Sequence, residues 1–420
     1  MSHGNVNGTQ AGASRPIGPS ASGTKASPGL MLTLATVGFG LNFWAWALLS
    51  PLAPGLREEL GLTSFQQALV VAVPVIVGSV GRIPVGALTD KYGARVMFPL
   101  ISVLTVIPVL YLGLAGQSSL TALLIGGFFL GIGGTTFAVG VPFVSAWYPP
   151  QRRGLAIGVF GVGMGGTAIS AVTTLKLAEN YGSAVPFIVV AIVLGLYAVV
   201  AAVVLRDPPG RQRSGVPLGK QLVATSKLAI TWQAAALYAL LFGGYVAFSV
   251  YLPTYLQSGY FLVPTDASNR MAGFVVVAVL MRPVGGWLSD QLGPAVVLAG
   301  CLAVVTAGAL VQAFTPPLVP LGTIAFLTMA AALGAGSGAT FALVALLAPA
   351  DKVGSVTGFV GAAGGLGGFL PPLLMGTLHG LFGSFGLGLG LLALAAAGLL
   401  VFTLTKVRAE ANEVRATTAE

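Results

Sequence analysis

The feature that most constrains this chain is an internal repeat at an offset of 200 residues, with an arginine inside an apolar run in each copy. Arg82, Gly86, Leu88, Asp90 and Gly93 recur as Arg282, Gly286, Leu288, Asp290 and Gly293. An arginine near the centre of a bilayer helix costs roughly 2.5–3.5 kcal/mol on insertion scales, and such a residue faces a cavity or a partner rather than lipid. A duplicated buried cation therefore predicts two halves of one fold, each lending an arginine to a shared anion site. Each arginine lies eight residues before its aspartate, about 12 Å along a helix at 1.5 Å per residue. That common depth is what a single site requires.

Apolar residues make up 55% of the 420 positions and charged residues 7%, a balance that leaves a water-soluble domain too little polar surface. Runs of about 20 apolar residues, enough to cross a roughly 30 Å hydrocarbon core as helix, fall at about 31–56, 66–88, 96–115, 120–147, 154–175 and 185–205. A second six fall at about 228–256, 271–288, 295–313, 318–347, 354–376 and 385–404. The expected fold is an all-α membrane protein of twelve transmembrane helices in two six-helix pseudo-repeats, at 31–205 and 228–405, joined by a cytoplasmic linker at 206–227. Residues 1–30, rich in small and polar types, read as a disordered tail without the basic start and apolar core of a signal peptide, and 406–420 as a second tail.

Basic residues set the orientation, because cytoplasmic loops collect them. With the N-terminus inside, 15 of the 20 Lys and Arg residues fall in cytoplasmic segments, while Arg57, Lys176 and Arg270 fall outside. The remaining two are Arg82 and Arg282. Both termini are thus expected in the cytoplasm and the protein in the plasma membrane. The net charge of +9 follows from topology, and its scatter over short loops offers no nucleic-acid face. Cys301 stands alone and reads as a small buried hydrophobe. His379 lies near an outer loop with no second metal ligand beside it, so neither a metal nor another cofactor is expected. With one Cys and two His no catalytic cluster assembles, which argues against an enzyme.

The repeat extends to glycines. Gly154, Gly158, Gly161 and Gly165 pair with Gly354, Gly358, Gly361 and Gly365, each set on one helical face. Small residues let helix backbones approach closely in lipid, and the same faces are expected to border a central cavity. The G-x-G-x-x-G match within residues 161–166 lacks the preceding strand of a dinucleotide fold and is discounted.

Gly86, Asp90, Gly93 and Arg95 form G-x-x-x-D-x-x-G-x-R between the second and third runs, with a copy at Gly286, Asp290 and Gly293 after the eighth. This resembles the loop motif of the major facilitator superfamily, and the resemblance covers about residues 30–405. It implies that Asp90 and Arg95 are conformational latch residues. The copy has Pro294 and Ala295 where the basic residue would stand, which predicts a weaker contact there. Within the superfamily, residues 80–84, 131–138, 158–166 and 358–369 look like the nitrate/nitrite porter family. That family binds its anion between two arginines, which implies Arg82 and Arg282. Its aromatic positions match Tyr238, Phe242 and Phe137, and the first run offers Phe43. One departure concerns the fifth run, where the family carries an asparagine that reaches the anion and this chain has Gly165.

The residues themselves agree with an anion. None of the eleven acidic residues falls in mid-helix, so the cavity is expected to be purely cationic. A guanidinium gives a planar oxyanion two parallel hydrogen bonds, and nitrate, nitrite, formate and oxalate all suit that fork. The expected activity is alternating-access exchange of a small planar anion by a monomer in the bilayer, with a small-carboxylate carrier, a proton-coupled nitrate symporter and an anion channel as alternatives.

Overall fold

The computed structural model describes residues 27–208 and 216–417 together with Met1, and all regular structure among them is helical. Residues 2–26 of the expected N-terminal tail, 209–215 of the expected linker and 418–420 of the C-terminal tail lie outside the described residues.

Among the described residues twelve helices are long and apolar enough to cross a bilayer. In the first half they are α1 (Pro28–Ala53), α2 (Leu69–Tyr92), α3 (Ala94–Leu114), α4 (Leu120–Trp147), α5 (Pro150–Tyr181) and α6 (Val185–Val204). In the second they are α7 (Ala229–Ser249), α8 (Asn269–Leu292), α9 (Pro294–Ala313), α10 (Leu318–Leu347), α11 (Val353–Pro371) and α12 (Gly386–Val414). Two segments expected as loop and tail are helical instead. The linker contains a short helix, Leu218–Ser226, whose buried Gln221 and Thr225 recur at the four-residue helical spacing on the side packed against the bundle. At the C-terminus the chain stays helical through Thr417, because Val407 and Ala411 are buried and Gln233 donates to both Glu410 carboxylate oxygens at 2.9 and 3.1 Å.

The motif glycines have a conformational reason. Gly93 and Gly293 adopt φ of 89° and 94°, where a side chain would be strained, and there the chain leaves α2 for α3 and α8 for α9.

Packing between the halves runs through the repeated glycine faces, in crossed pairs. α5 lies on α8, where a Cβ at Gly158 would come within 2.6 Å of the Arg282 carbonyl oxygen. α11 lies on α2, where a Cβ at Gly354 would come within 2.7 Å of the Gly86 carbonyl oxygen and one at Gly358 would collide with the Arg82 carbonyl. Close approach of backbones replaces interdigitated side chains at both seams, so contact is dense and made over small lever arms.

The halves are not identical. α4 and α5 tighten to 3₁₀ turns at Gly131–Thr135 and Val162–Gly165, whereas α10 and α11 remain α-helical at the matching positions. A tightened turn re-aims carbonyls and side chains, and both tightened turns adjoin the arginines.

Candidate anion-binding site

Arg82 on α2 and Arg282 on α8 are 2% and 3% exposed, and they are the only charged residues buried among the described ones. The two guanidinium groups lie within coulombic reach of each other and of Tyr238. Arg82 is held by backbone. Its Nε donates to the Gly134 carbonyl in the tightened turn of α4 at 3.0 Å, and Nη1 donates to the Gly361 carbonyl of α11 at 2.8 Å. Its guanidinium carbon lies 5.6 Å from the centre of the Phe137 ring.

Arg282 is held less completely. Nη2 donates to the Tyr238 hydroxyl at 3.2 Å, and Nη1 meets the Met164 thioether, a weak acceptor. Nε is buried with no acceptor among the described residues. A buried charged donor without a partner costs about 1–3 kcal/mol or more, so Arg282 Nε keeps bonding capacity for an anion, and Arg82 keeps its Nη2, which makes no hydrogen bond among the described residues. Its carbon lies 5.7 Å from the Phe242 ring centre.

Aromatic rings connect the pair. Tyr238 and Phe242 stack at 4.7 Å with planes 4° apart, and Phe137 lies nearly parallel to Tyr238 at 6.2 Å. Gly364 of α11 makes room for this stack, since a Cβ there would come within 2.9 Å of Phe242. The structure thus brings Arg82, Arg282, Phe137, Tyr238 and Phe242 together. Phe43 stands one ring away: it packs on Phe39 at 4.4 Å, and Phe39 in turn meets Phe137 at 5.4 Å. Gly165 borders open space, with nothing within 4 Å of a Cβ, while a Cβ at Gly365 would collide with Ser79.

Sequence reasoning missed Phe341, whose ring stands edge-on to both Phe137 and Tyr238 at 4.7 and 4.6 Å. The repeat pairs it with Val141, so no signal pointed to it. Met164 was also missed, although it stands inside the glycine run from 158 to 166, one residue before Gly165.

On the side carrying the basic loops, the repeated aspartates join the halves. Asp290 accepts from the Gly154 and Leu155 amides at 2.8 Å each, capping α5. Asp90 accepts from the Gly354 and Ser355 amides at 2.9 and 2.8 Å, capping α11, and from Ser355 Oγ at 2.6 Å and Gln221 Nε2 at 3.0 Å. A carboxylate at a helix N-terminus meets unpaired amides and the positive end of the dipole. Each aspartate therefore latches its own half to the other. At the copy, the replacement of the basic residue leaves the two amide bonds as short as in the first motif. Arg95 is exposed, and it is its backbone amide that donates, to Asp207 Oδ1 at 3.2 Å.

The chain matches known proteins along nearly its whole length. The Major Facilitator Superfamily model matches residues 35–262 and 262–419. The chain belongs to that superfamily. Its relatives include the probable nitrate/nitrite transporter NarK2 of Mycobacterium tuberculosis, 45% identical over 90% of this chain and 96% of that protein. They also include the nitrite extrusion protein of Bacillus subtilis, 34% identical over 89% of this chain and 93% of that one. The chain is thus a multi-pass membrane protein of the superfamily's nitrate/nitrite porter family, and that family consists of transporters rather than enzymes. Among solved structures it superposes on the human organic anion transporter MFSD10 with a TM-score of 0.77 at 14% identity, covering 90% of this chain and all of that one. On FucP in its outward conformation the TM-score is 0.71 at 20% identity, covering 89% of this chain and 97% of that one. Both likenesses concern the fold.

Proposed function

We propose that this superfamily member exchanges nitrate and nitrite across the plasma membrane by alternating access, as a monomer with both termini in the cytoplasm. The observation that carries this reading is the buried arginine pair, one from each half, with donor capacity left at Arg282. A planar oxyanion between the halves would accept from both guanidiniums and neutralise charge that no buried carboxylate among the described residues balances. The relatives' names supply the anion, and the excess of basic loop residues on the latched side supplies the orientation.

Exchange follows from electrostatics. Reorienting the empty carrier moves two unneutralised guanidinium groups, whereas the loaded form carries one charge fewer. Proteoliposomes holding internal nitrite should take up external nitrate at least about tenfold faster than empty ones, a barrier difference of ~1.4 kcal/mol. Uphill uptake into empty vesicles under a pH gradient alone would show proton symport instead. Formate and oxalate as competitors test the carboxylate alternative, and either one outcompeting nitrate would reassign the substrate.

Gly165 offers a gain-of-contact test. Its φ is −56° and its Cβ direction is open, so Gly165→Asn should fold normally. A new hydrogen bond to the anion, worth about 0.5–1.5 kcal/mol, should lower the apparent KM for nitrate roughly two- to tenfold. An unchanged or raised KM in a well-folded variant would remove Gly165 from the site.

A further inference from the structure

The short helix Leu218–Ser226 between the two halves presents two unlike faces. One is buried in the latch: Gln221 is 3% exposed, and its Nε2 donates to Asp90 Oδ2 at 3.0 Å and to Ser355 Oγ at 2.9 Å. One side chain thereby ties the linker to both halves at the carboxylate that caps α11. The opposite face carries Lys220, Val223 and Lys227, all exposed, with Val223 at 56%. They rim a shallow groove of about 380 Å³ with Gly219 and Ala224. The two lysines are seven residues apart, two turns and about 10 Å along the same side of the helix. Among the described residues neither is in an ion pair, and the helix itself contains no acidic residue.

The helix also has a fixed depth. The Trp232 indole, 61% exposed on the first turn of α7, donates to the Ser226 carbonyl at 2.7 Å. An amphipathic indole at the start of a span belongs at the level of the lipid headgroups, and this bond ties the end of the linker helix to that level.

We propose that this face is a docking surface for anionic phospholipid headgroups, and that an occupied surface holds Gln221 in the latch and slows its opening. Two ammonium groups flanking an exposed valine, at headgroup depth, complement a phosphate with its acyl chain alongside. The linker helix bonds to the Asp90 latch through Gln221, whereas Asp290 accepts from Gly154 and Leu155 of α5. Lipid charge would therefore act on one latch of the two. The proposal goes beyond anion exchange and does not depend on which anion is carried.

The test uses the full chain with a spin label at Val223→Cys in a Cys301→Ala background. It is reconstituted in vesicles of phosphatidylcholine, alone or mixed equally with phosphatidylglycerol. Phosphatidylglycerol should shift the label from contact with a water-soluble relaxant to contact with dissolved oxygen. It should be retained about tenfold more tightly than by Lys220→Gln/Lys227→Gln, with the difference lost at high salt. A label equally wet in both vesicles, or equal lipid retention by the double variant, would overturn the docking surface. Anion exchange should be about fivefold slower in the anionic vesicles, and Gln221→Leu should keep the lipid but lose this slowing. Persistence of the slowing in Gln221→Leu would overturn the coupling to the latch.

Discussion

Arg82→Lys and Arg282→Lys should each reduce anion exchange by more than about a hundredfold, or ~2.7 kcal/mol of barrier, while the purified protein remains folded. Lysine keeps the charge but replaces a planar five-donor fork with a point charge on a flexible stem. At position 82 the fork makes two fixed bonds at once, to Gly134 at 3.0 Å and Gly361 at 2.8 Å, and no single ammonium position reproduces both with an anion present. At position 282 the unpartnered Nε would be lost outright. The effects should differ in kind. Arg282→Lys should act mainly on anion affinity, whereas Arg82→Lys should also loosen the seam between α2 and α11, because the Gly361 bond crosses it. Uptake assays in proteoliposomes, with thermal unfolding as the control, decide the matter. Exchange within about threefold of wild type in both variants would refute the shared site.

Gly158→Leu and Gly358→Leu should be more damaging to the molecule as a whole. At each position the space for a Cβ is taken by the partner helix's backbone, the Arg282 carbonyl at 2.6 Å in one case and the Arg82 carbonyl in the other. Backbone in a packed helix cannot rotate away as a side-chain tip can, so overpacking here should cost at least the usual 1–3 kcal/mol or so. It should also displace the very residue that carries the arginine. The expected result is a lowered Tm and loss of exchange in both variants. Gly300→Leu is the comparison, since nothing lies within 4 Å of its Cβ and it faces outward; it should behave as wild type. Normal stability and transport in Gly158→Leu would mean that the seam is not closed through this face.

Much of the candidate site was legible because its signals are unusual ones. An arginine in an apolar run has few structural explanations, and its recurrence at an offset of 200 together with Asp90, Gly93 and the glycine series implied a two-half architecture. Aromatic positions were harder. Phe residues are ordinary core residues in membrane helices, so Phe43 could not be told from Phe39 by pattern, and it is Phe39 that touches Phe137. Phe341 carries no repeat signal, since it completes the aromatic stack from a helix whose counterpart has Val141 at that place. The linker helix was invisible for a related reason: nine residues give too few turns for a convincing period, and its stability comes from docking Gln221 and Thr225.

The sequence by itself determined the solvent, the number of crossings and the presence of two opposed cations. Those follow from transfer free energies and hydrogen-bond satisfaction, which depend on composition along a single helix. Tertiary structure alone decided that the glycine faces pack across the halves in crossed pairs and that the aspartates cap the partner half's helices. It alone made the two arginines unequal. Arg82 and Arg282 occupy matching positions of the repeat, but one meets carbonyls and the other a thioether and a phenol. The difference arises from partner helices 52 to 279 residues away for Arg82 and 44 to 118 residues away for Arg282. What a buried charge can do for a ligand depends on which of its donors the fold has already used, and that is a property of contacts distant along the chain.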